Sequence, residues 1–319
     1  MSSKLRILFM GTPDFALHIL DTIIKNDFNV VGVVTVPDKP AGRGQKIQSS
    51  AVAKYAKENN LNLLQPAKLK SKAFLKAIEE LNADIAVVVA FRMLPKEVWQ
   101  MPHLGTFNLH ASLLPAYRGA APINHAIING EKETGVTTFF IDEKIDTGNI
   151  LLQEKVTIEP DENAGSLHDK LMETGAQLVI KTLNGLDKNE LKPLPQKDAT
   201  DIKYATKIFK EDCLIPWDKS LQEIHDFIRG MSPYPVAWTY LKNENSIKML
   251  KIFESSYEIV DHTHPTLSIF EQDKKLGVAH PKGIIWLKQV QLEGKRRMSA
   301  TDFLNGKNLA DGARVTNSK

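Results

Sequence analysis

Apolar runs of strand length alternate with amphipathic helical stretches through the first half of the chain, and this alternation does most to limit its fold. Residues 5–10 are apolar apart from Arg6 and give way to Gly11-Thr12-Pro13, where Pro13 suits the first turn of a helix. Phe15, Ile19 and Ile23, flanked by Leu20 and Ile24, recur at helical spacing, and residues 30–36 predict a second, nearly all-apolar strand. That is a βαβ unit. A helix around 51–58, a short strand at Leu63-Leu64, a helix around 70–81 and a strand at 85–90 continue the pattern. Strands apolar on both faces belong in a parallel or mixed sheet covered by helices on both sides, so the fold class is α/β. After residues 106–110 the pattern changes. Longer strands are predicted at 136–141 and 150–158, then a helix capped by Ser166 with Asp169 three residues on.

With 319 residues the chain has room for two domains. Residues 184–206 are polar and Lys-rich and carry Pro193 and Pro195, which predicts a linker over 184–207 between a domain at 1–183 and another at 208–319. Beyond it, residues 221–228 form a short helix. Apolar-rich runs at 238–241, 247–253, 266–271, 275–279 and 283–292 then predict a compact β-barrel of about five strands. Trp217, Trp238 and Trp286 are expected in its core.

Composition excludes whole classes. Hydrophobic residues at 42% and charged residues at 25% rule out disorder and fibrous folds. The single cysteine, Cys213, cannot close an internal disulfide. No apolar run approaches the ~20 residues that span a bilayer, and Asp14 ends the first run too early for a signal peptide, so the expected compartment is the cytoplasm. None of the nine histidines has metal-ligand spacing, and no metal is expected. The net charge of +3 neither requires nor excludes a nucleic acid. Residues 208–319 hold 16 Lys and Arg against 14 Asp and Glu, so basic contacts must come from local patches such as Lys295-Arg296-Arg297.

Gly11-Thr12-Pro13-Asp14-Phe15 is not a dinucleotide fingerprint, and Asp14 stands where a pyrophosphate would lie. The richest polar constellation follows the fourth buried run. Asn108 and His110, two apart in a strand, share a face. Asp142 and Asp146 sit in a polar turn after another strand, and a carboxylate there can orient the imidazole. No nucleophile elbow or metal set accompanies them. The trio suits attack by a substrate amine on a carbonyl, with donors on the oxyanion and a base for the proton. Turn-forming Asn and Asp beside a hydrogen-bonded His would also account for these residues.

The motif Asn108-x-His110-x-Ser112-Leu113-Leu114-Pro115-x-x-Arg118-Gly119, followed by Asp146-Thr147-Gly148, closely resembles the 10-formyltetrahydrofolate-dependent formyltransferases. Residues 9–15, the loop at 37–46, Gly119-Ala120-Ala121-Pro122-Ile123 and the run from Met298 to Leu304 extend the resemblance over essentially the whole chain. It implies a Rossmann-like formyltransferase domain followed by an OB-like β-barrel, with 10-formyltetrahydrofolate as formyl donor. It also implies that Asn108, His110 and Asp146 are catalytic and that Ser112, Leu113, Leu114 and Pro115 line the folate site. The acceptor it implies is methionyl-initiator tRNA, held partly by the loop carrying Lys39, Arg43 and Lys46, with Arg43 the direct contact. The chain is expected to act as a monomer. A formyltransferase acting on a small amine, such as glycinamide ribonucleotide or an amino sugar nucleotide, and a noncatalytic nucleic-acid-binding protein are the alternatives. One departure stands out: many relatives read Tyr-Gly-x-x-Leu-Pro where this chain has the shorter Phe91-Arg92-Met93-Leu94-Pro95, so Arg92 is expected to meet the folate's glutamate tail or to point to solvent.

Overall fold

A computed structural model describes residues 5–41, 46–197, 201–244 and 246–318, in two compact units. The first runs to Gly119 and takes in Thr134–Thr157 and Asp169–Tyr204. The second combines Ala120–Glu133, Ile158–His168 and the chain from Ala205 onward.

The first unit is built on β1 (Arg6–Gly11), α1 (Asp14–Lys25), β2 (Asn29–Val34), the hairpin β3 (Lys39–Ala41) and β4 (Lys46–Gln48), and α2 (Ala51–Glu58). Next come β5 (Leu63–Leu64), α3 (Lys72–Glu80), β6 (Ile85–Val89), α4 (Lys96–Trp99), β7 (Thr106–His110) and β8 (Arg118–Gly119). Helix α5 (Pro122–Ile128) belongs to the second unit, and β9 (Glu133–Phe140), β10 (Ile150–Thr157) and most of α6 (Ala164–Asp187) return to the first. The sheet order is β10-β9-β7-β6-β1-β2-β5. Strands β5, β2, β1, β6 and β7 are parallel and β9 runs antiparallel to β7, so the sheet is mixed. Ile7 to Met10 and all of β6 are buried, as two covered faces require. Helix α1 buries Phe15, Ala16, Ile19, Leu20 and Ile23, with Pro13 standing one residue earlier than expected, as the N-cap. Gly11 allows the tight first turn, because a Cβ there would lie 2.5 Å from Ala16 Cβ.

Helices α1 and α2 are joined by Tyr55, which donates to Asp21 Oδ1 at 2.9 Å. Burial, then the hydrogen bond to Asp21 and its charge, push the Tyr55 phenol up to about 12. The contact holds the neutral phenol, so its contribution to stability is complete below the ordinary tyrosine value of ~10 and is lost as pH rises to about 12. In an alkaline absorbance titration, Tyr55→Phe is expected to remove a component with midpoint about 12. Asp21→Asn is expected to move that component down toward ~10.

One expectation is corrected here. Helix α6 is not capped by Ser166: Asn163 Oδ1 accepts from the N–H groups of Gly165 and Ser166 at 2.9 and 3.0 Å, so the helix begins earlier. It also runs on to Asp187, inside the stretch expected to be linker. Within that stretch, Ile150 and Leu194 exchange backbone hydrogen bonds of 2.8 Å each.

The second unit contains β11 (Tyr204–Ala205) in part, α7 (Leu221–Met231), β12 (Ala237–Asn243), β13 (Ser246–Glu258), β14 (Ile269–Gln272) and β15 (Lys275–His280). β16 (Gly283–Leu292), β17 (Met298–Ser299), α8 (Ala300–Asn305) and β18 (Arg314–Thr316) complete it. The antiparallel sheet runs β14-β15-β16-β13-β12-β18, with β17 on β16, so it holds more than the five strands expected. It curls in the OB-like manner: register shifts between Ile252 and Ser255 bend β13, and a bridge between Ser268 and Arg314 links the outermost strands. Leu221, Ile224, Ile228 and Met231 of α7 pack into its core with Trp217, Trp238 and Phe303. Trp217 and Trp238 are buried as expected, donating to Thr239 Oγ1 and the Lys210 carbonyl, whereas Trp286 is half-buried.

Helix α5 packs on α7, with Asn124 Nδ2 donating to the Gly230 carbonyl at 2.8 Å, and Arg229 Nη1 donates to the Glu162 carbonyl at 2.7 Å. Compactness thus groups residues 120–133 and 158–168 with the C-terminal chain. An apolar helix face in the sequence shows that α5 is buried but not against what.

Candidate active site

Strand β7 lies between β6 and β9, pairing Val88 with Asn108 and His110 with Thr137. Its period of two sets Asn108 and His110 on one face at the end where the parallel strands stop, the usual ligand edge of such a sheet. His110 is 6% exposed. Its Nε2 is 2.8 Å from the Tyr117 carbonyl, which only accepts, so Nε2 carries the proton. Nδ1 faces Asp146 Oδ2 at 3.8 Å, ion-pair distance whenever the ring is protonated. The ring meets Phe139 edge-on at 6.5 Å.

Of the two candidate carboxylates, Asp146 is the one beside His110. Asp142 holds its own turn instead, accepting from the Lys144 N–H at 3.0 Å and the Thr147 hydroxyl at 2.7 Å. Asp146 Oδ2 accepts from the Gly119 N–H at 2.9 Å. Its backbone has φ +55°, a left-handed conformation that costs a side-chain-bearing residue roughly 1–3 kcal/mol unless its surroundings enforce it. Gly148 makes the turn possible, because a Cβ there would lie 1.7 Å from the Phe140 carbonyl oxygen. Gly148→Ala is expected to destabilise the fold by about 3 kcal/mol, the upper end of overpacking costs, as read from urea unfolding.

Ser112, Leu113, Leu114 and Pro115 form the loop after β7. Ser112 and Leu114 are buried, and the Ser112 hydroxyl donates to the Ala116 carbonyl at 2.6 Å. Thr137 of β9 pins the loop, donating to the Ser112 carbonyl at 2.6 Å and accepting from the Leu114 N–H at 3.1 Å. Gln153 adds a bond to the Leu114 carbonyl at 2.9 Å. Leu113 packs over Gly135, where a Cβ would lie 2.6 Å from Leu113 Cδ2.

Gln196 joins this cluster from the expected linker. Its Oε1 accepts from Arg118 Nε and Nη2 at 3.1 and 2.6 Å, and its Nε2 donates to the carbonyls of Asp146 and Gly148 at 2.9 Å each. A lone Gln in a polar stretch carries no sequence signal of such a contact. A cavity of about 550 Å³ opens beside the turn, lined by Arg118, Asp142, Thr147, Gln196 and Tyr204 among others; Asn108 and His110 are not in its walls. Arg92 is partly buried. Its guanidinium donates to the carbonyls of Pro66 and Ala67, and burial lowers its pKa from the ordinary value.

Lys39 is exposed on the β3–β4 hairpin, while Arg43 and the Lys46 side chain lie outside the described residues. Lys295, Arg296 and Arg297 are exposed, with the Arg297 guanidinium 4.4 Å from the centre of the Phe253 ring. Among the described residues no group of three or more His, Cys, Asp or Glu is placed to hold a metal ion, and no helix is long and apolar enough to cross a membrane.

Asn108 Oδ1, on strand β7, is buried without a hydrogen-bond partner, beside a loop whose polar groups are largely satisfied. This unpaired oxygen lies on the same strand face as an imidazole that in turn faces a carboxylate. The chain belongs to the formyltransferase family: residues 4–183 match the formyl transferase family and residues 207–308 match the formyl transferase C-terminal domain. It is an enzyme of that family whose formyl donor is 10-formyltetrahydrofolate. Among its relatives it is 55% identical over 312 residues to the methionyl-tRNA formyltransferase of Flavobacterium johnsoniae, covering 98% of this chain and 99% of that one. To the methionyl-tRNA formyltransferase of Bacteroides thetaiotaomicron it is 50% identical over 316 residues, covering 98% of each. Solved structures share the fold at lower identity. The sugar 3N-formyl transferase WlaRD, crystallised with dTDP and 5-N-formyl-THF, has a TM-score of 0.63 at 23% identity over 92% of this chain and all of that one. HypX from Aquifex aeolicus in complex with tetrahydrofolic acid has a TM-score of 0.62 at 18% identity, covering 95% of this chain and 47% of that one.

Proposed function

We propose that the chain transfers the formyl group of 10-formyltetrahydrofolate to the α-amine of methionine esterified to initiator tRNA. The observation that carries this reading is Asn108 beside His110 at the end of β7, with Asp146 behind the imidazole, in a chain similar over its whole length to methionyl-tRNA formyltransferases. The donor supplies an electrophilic formyl carbon, and every other part of the step falls to the protein. The Asn108 amide is free of internal bonds at Oδ1 and, rotated by half a turn, presents N–H donors to the oxygen that gains charge. His110 keeps its proton on Nε2 through Tyr117, which leaves Nδ1 to take the proton lost by the attacking amine. Asp146 then stands at ion-pair distance from the imidazolium that forms, and that imidazolium returns its proton to N10 of the folate as the bond from N10 to the formyl carbon breaks and tetrahydrofolate leaves.

Ser112, Leu113, Leu114 and Pro115 would border the folate through a loop held rigid by Thr137, and the tRNA would be met by Arg43, Lys39 and Lys46. In this reading catalysis belongs to residues 1–183, and residues 208–319 with Lys295-Arg296-Arg297 support the tRNA. The protein acts in the cytoplasm as a monomer. Steady-state kinetics test the acceptor assignment. Arg43→Ala is expected to raise KM for methionyl-tRNA about 10-fold, on the order of one lost charge-assisted contact, with KM for the folate unchanged. An equal rise in both would contradict it.

A further inference from the structure

We propose that Gln196 is a positioning residue for the transfer reaction, holding the Asp146 turn and, through it, the carboxylate that faces His110. The inference rests on reading Asn108, His110 and Asp146 as the transfer site, and it adds a residue from outside that motif. Gln196 is partly buried, and the segment carrying it is anchored two residues earlier by the Ile150–Leu194 backbone pair. Its carboxamide is fully used: the oxygen takes two N–H groups of Arg118, and the nitrogen gives its hydrogens to the Asp146 and Gly148 carbonyls. Gly119, the neighbour of Arg118, gives its N–H to Asp146 Oδ2. The bonds close a ring from Gln196 through Arg118 and Gly119 to Asp146 and back. A left-handed backbone such as that of Asp146 persists only where its surroundings over-determine it, and Gln196 binds the carbonyl of that residue and of the second residue beyond. Nothing but a carboxamide serves both sides. A carboxylate would still accept from Arg118 but has no hydrogen for the two carbonyls and sets a charge against them.

The test is a set of variants, Gln196→Glu, Gln196→Ala, Asp146→Ala and the Asp146→Ala/Gln196→Glu double, assayed for formyl transfer to methionyl-tRNA. The His110 imidazole is read by nitrogen NMR and assigned by its absence in His110→Ala. Gln196→Glu and Gln196→Ala are expected to lower kcat about 10- to 100-fold, the scale of a small misplacement of catalytic groups, with both KM values within about twofold. In the Asp146→Ala background, Gln196→Glu is expected to change kcat by less than about twofold, since it acts through the residue already removed. The His110 nitrogen signals are expected to move in Gln196→Glu in the same direction as in Asp146→Ala. Additive losses, unchanged kcat in either single variant, or unmoved His110 signals would overturn the inference. If wild-type protein formylates no methionyl-tRNA, the functional reading fails, and the NMR comparison then decides the positioning role by itself.

Discussion

Asn108→Ala is expected to lower kcat for formyl transfer by about 10²–10³ while leaving KM for both substrates and the unfolding midpoint close to wild type. The argument rests on where the amide sits. Its Oδ1 is buried yet bonds nothing in the protein, so truncation breaks no internal hydrogen bond at that atom. A group that acts only as charge develops is lost from kcat and not from KM. Side chains that hold the fold behave oppositely, as Thr137 would: its hydroxyl serves Ser112, Leu114 and Gln153 at once. If Asn108→Ala lost stability in proportion to its rate, the amide would be structural.

The largest stability effect is expected in the second unit, at the Asp226–Arg229 pair. Both side chains are about 5% exposed or less, and Asp226 Oδ1 lies 2.7 Å from both Nε and Nη2 of Arg229. Gln222 Nε2 completes the carboxylate at 2.9 Å, and Arg229 Nη1 is satisfied by the Glu162 carbonyl. Asp226→Ala strips the partner from a cation that has no route to water, and breaking such a pair costs roughly 3–5 kcal/mol. Arg229→Met added to Asp226→Leu is expected to recover most of that loss, because the desolvated charges are then gone together. Denaturant unfolding of the two variants checks both statements. A cost under about 1 kcal/mol for Asp226→Ala would mean that water reaches the pair.

How far these sites can be read from the chain depends on the range of the interaction. Asn108 and His110 were legible because a strand's period of two is local, and the parallel core was legible because β1 and β6 are apolar on both faces. Spacing alone did not choose Asp146 over Asp142, since both sit in one polar turn; the resemblance carried by Asp146-Thr147-Gly148 did, and the left-handed bend at Asp146, with Gly148 against Phe140, is the physical reason that it faces the imidazole. Gln196 lies 50 residues from Asp146 and announces itself by no spacing. Arg92 drew notice because its loop departs from the family pattern, and its bonds to the carbonyls of Pro66 and Ala67, more than 20 residues away, have no local signal in the sequence. The Asn163 cap was missed because Asn163 and Ser166 are both good caps, and only the observed bonds choose between them.

The central claim is that the Asn108–His110–Asp146 site formylates the amine of methionyl-initiator tRNA. Its most direct test supplies 10-formyltetrahydrofolate labelled in the formyl group together with methionyl-initiator tRNA, glycinamide ribonucleotide and an amino sugar nucleotide in one competition, and follows where the label goes. Label on the tRNA alone, abolished by His110→Ala, is the expected result. Label on either small amine, or on the tRNA undiminished in His110→Ala, would contradict it.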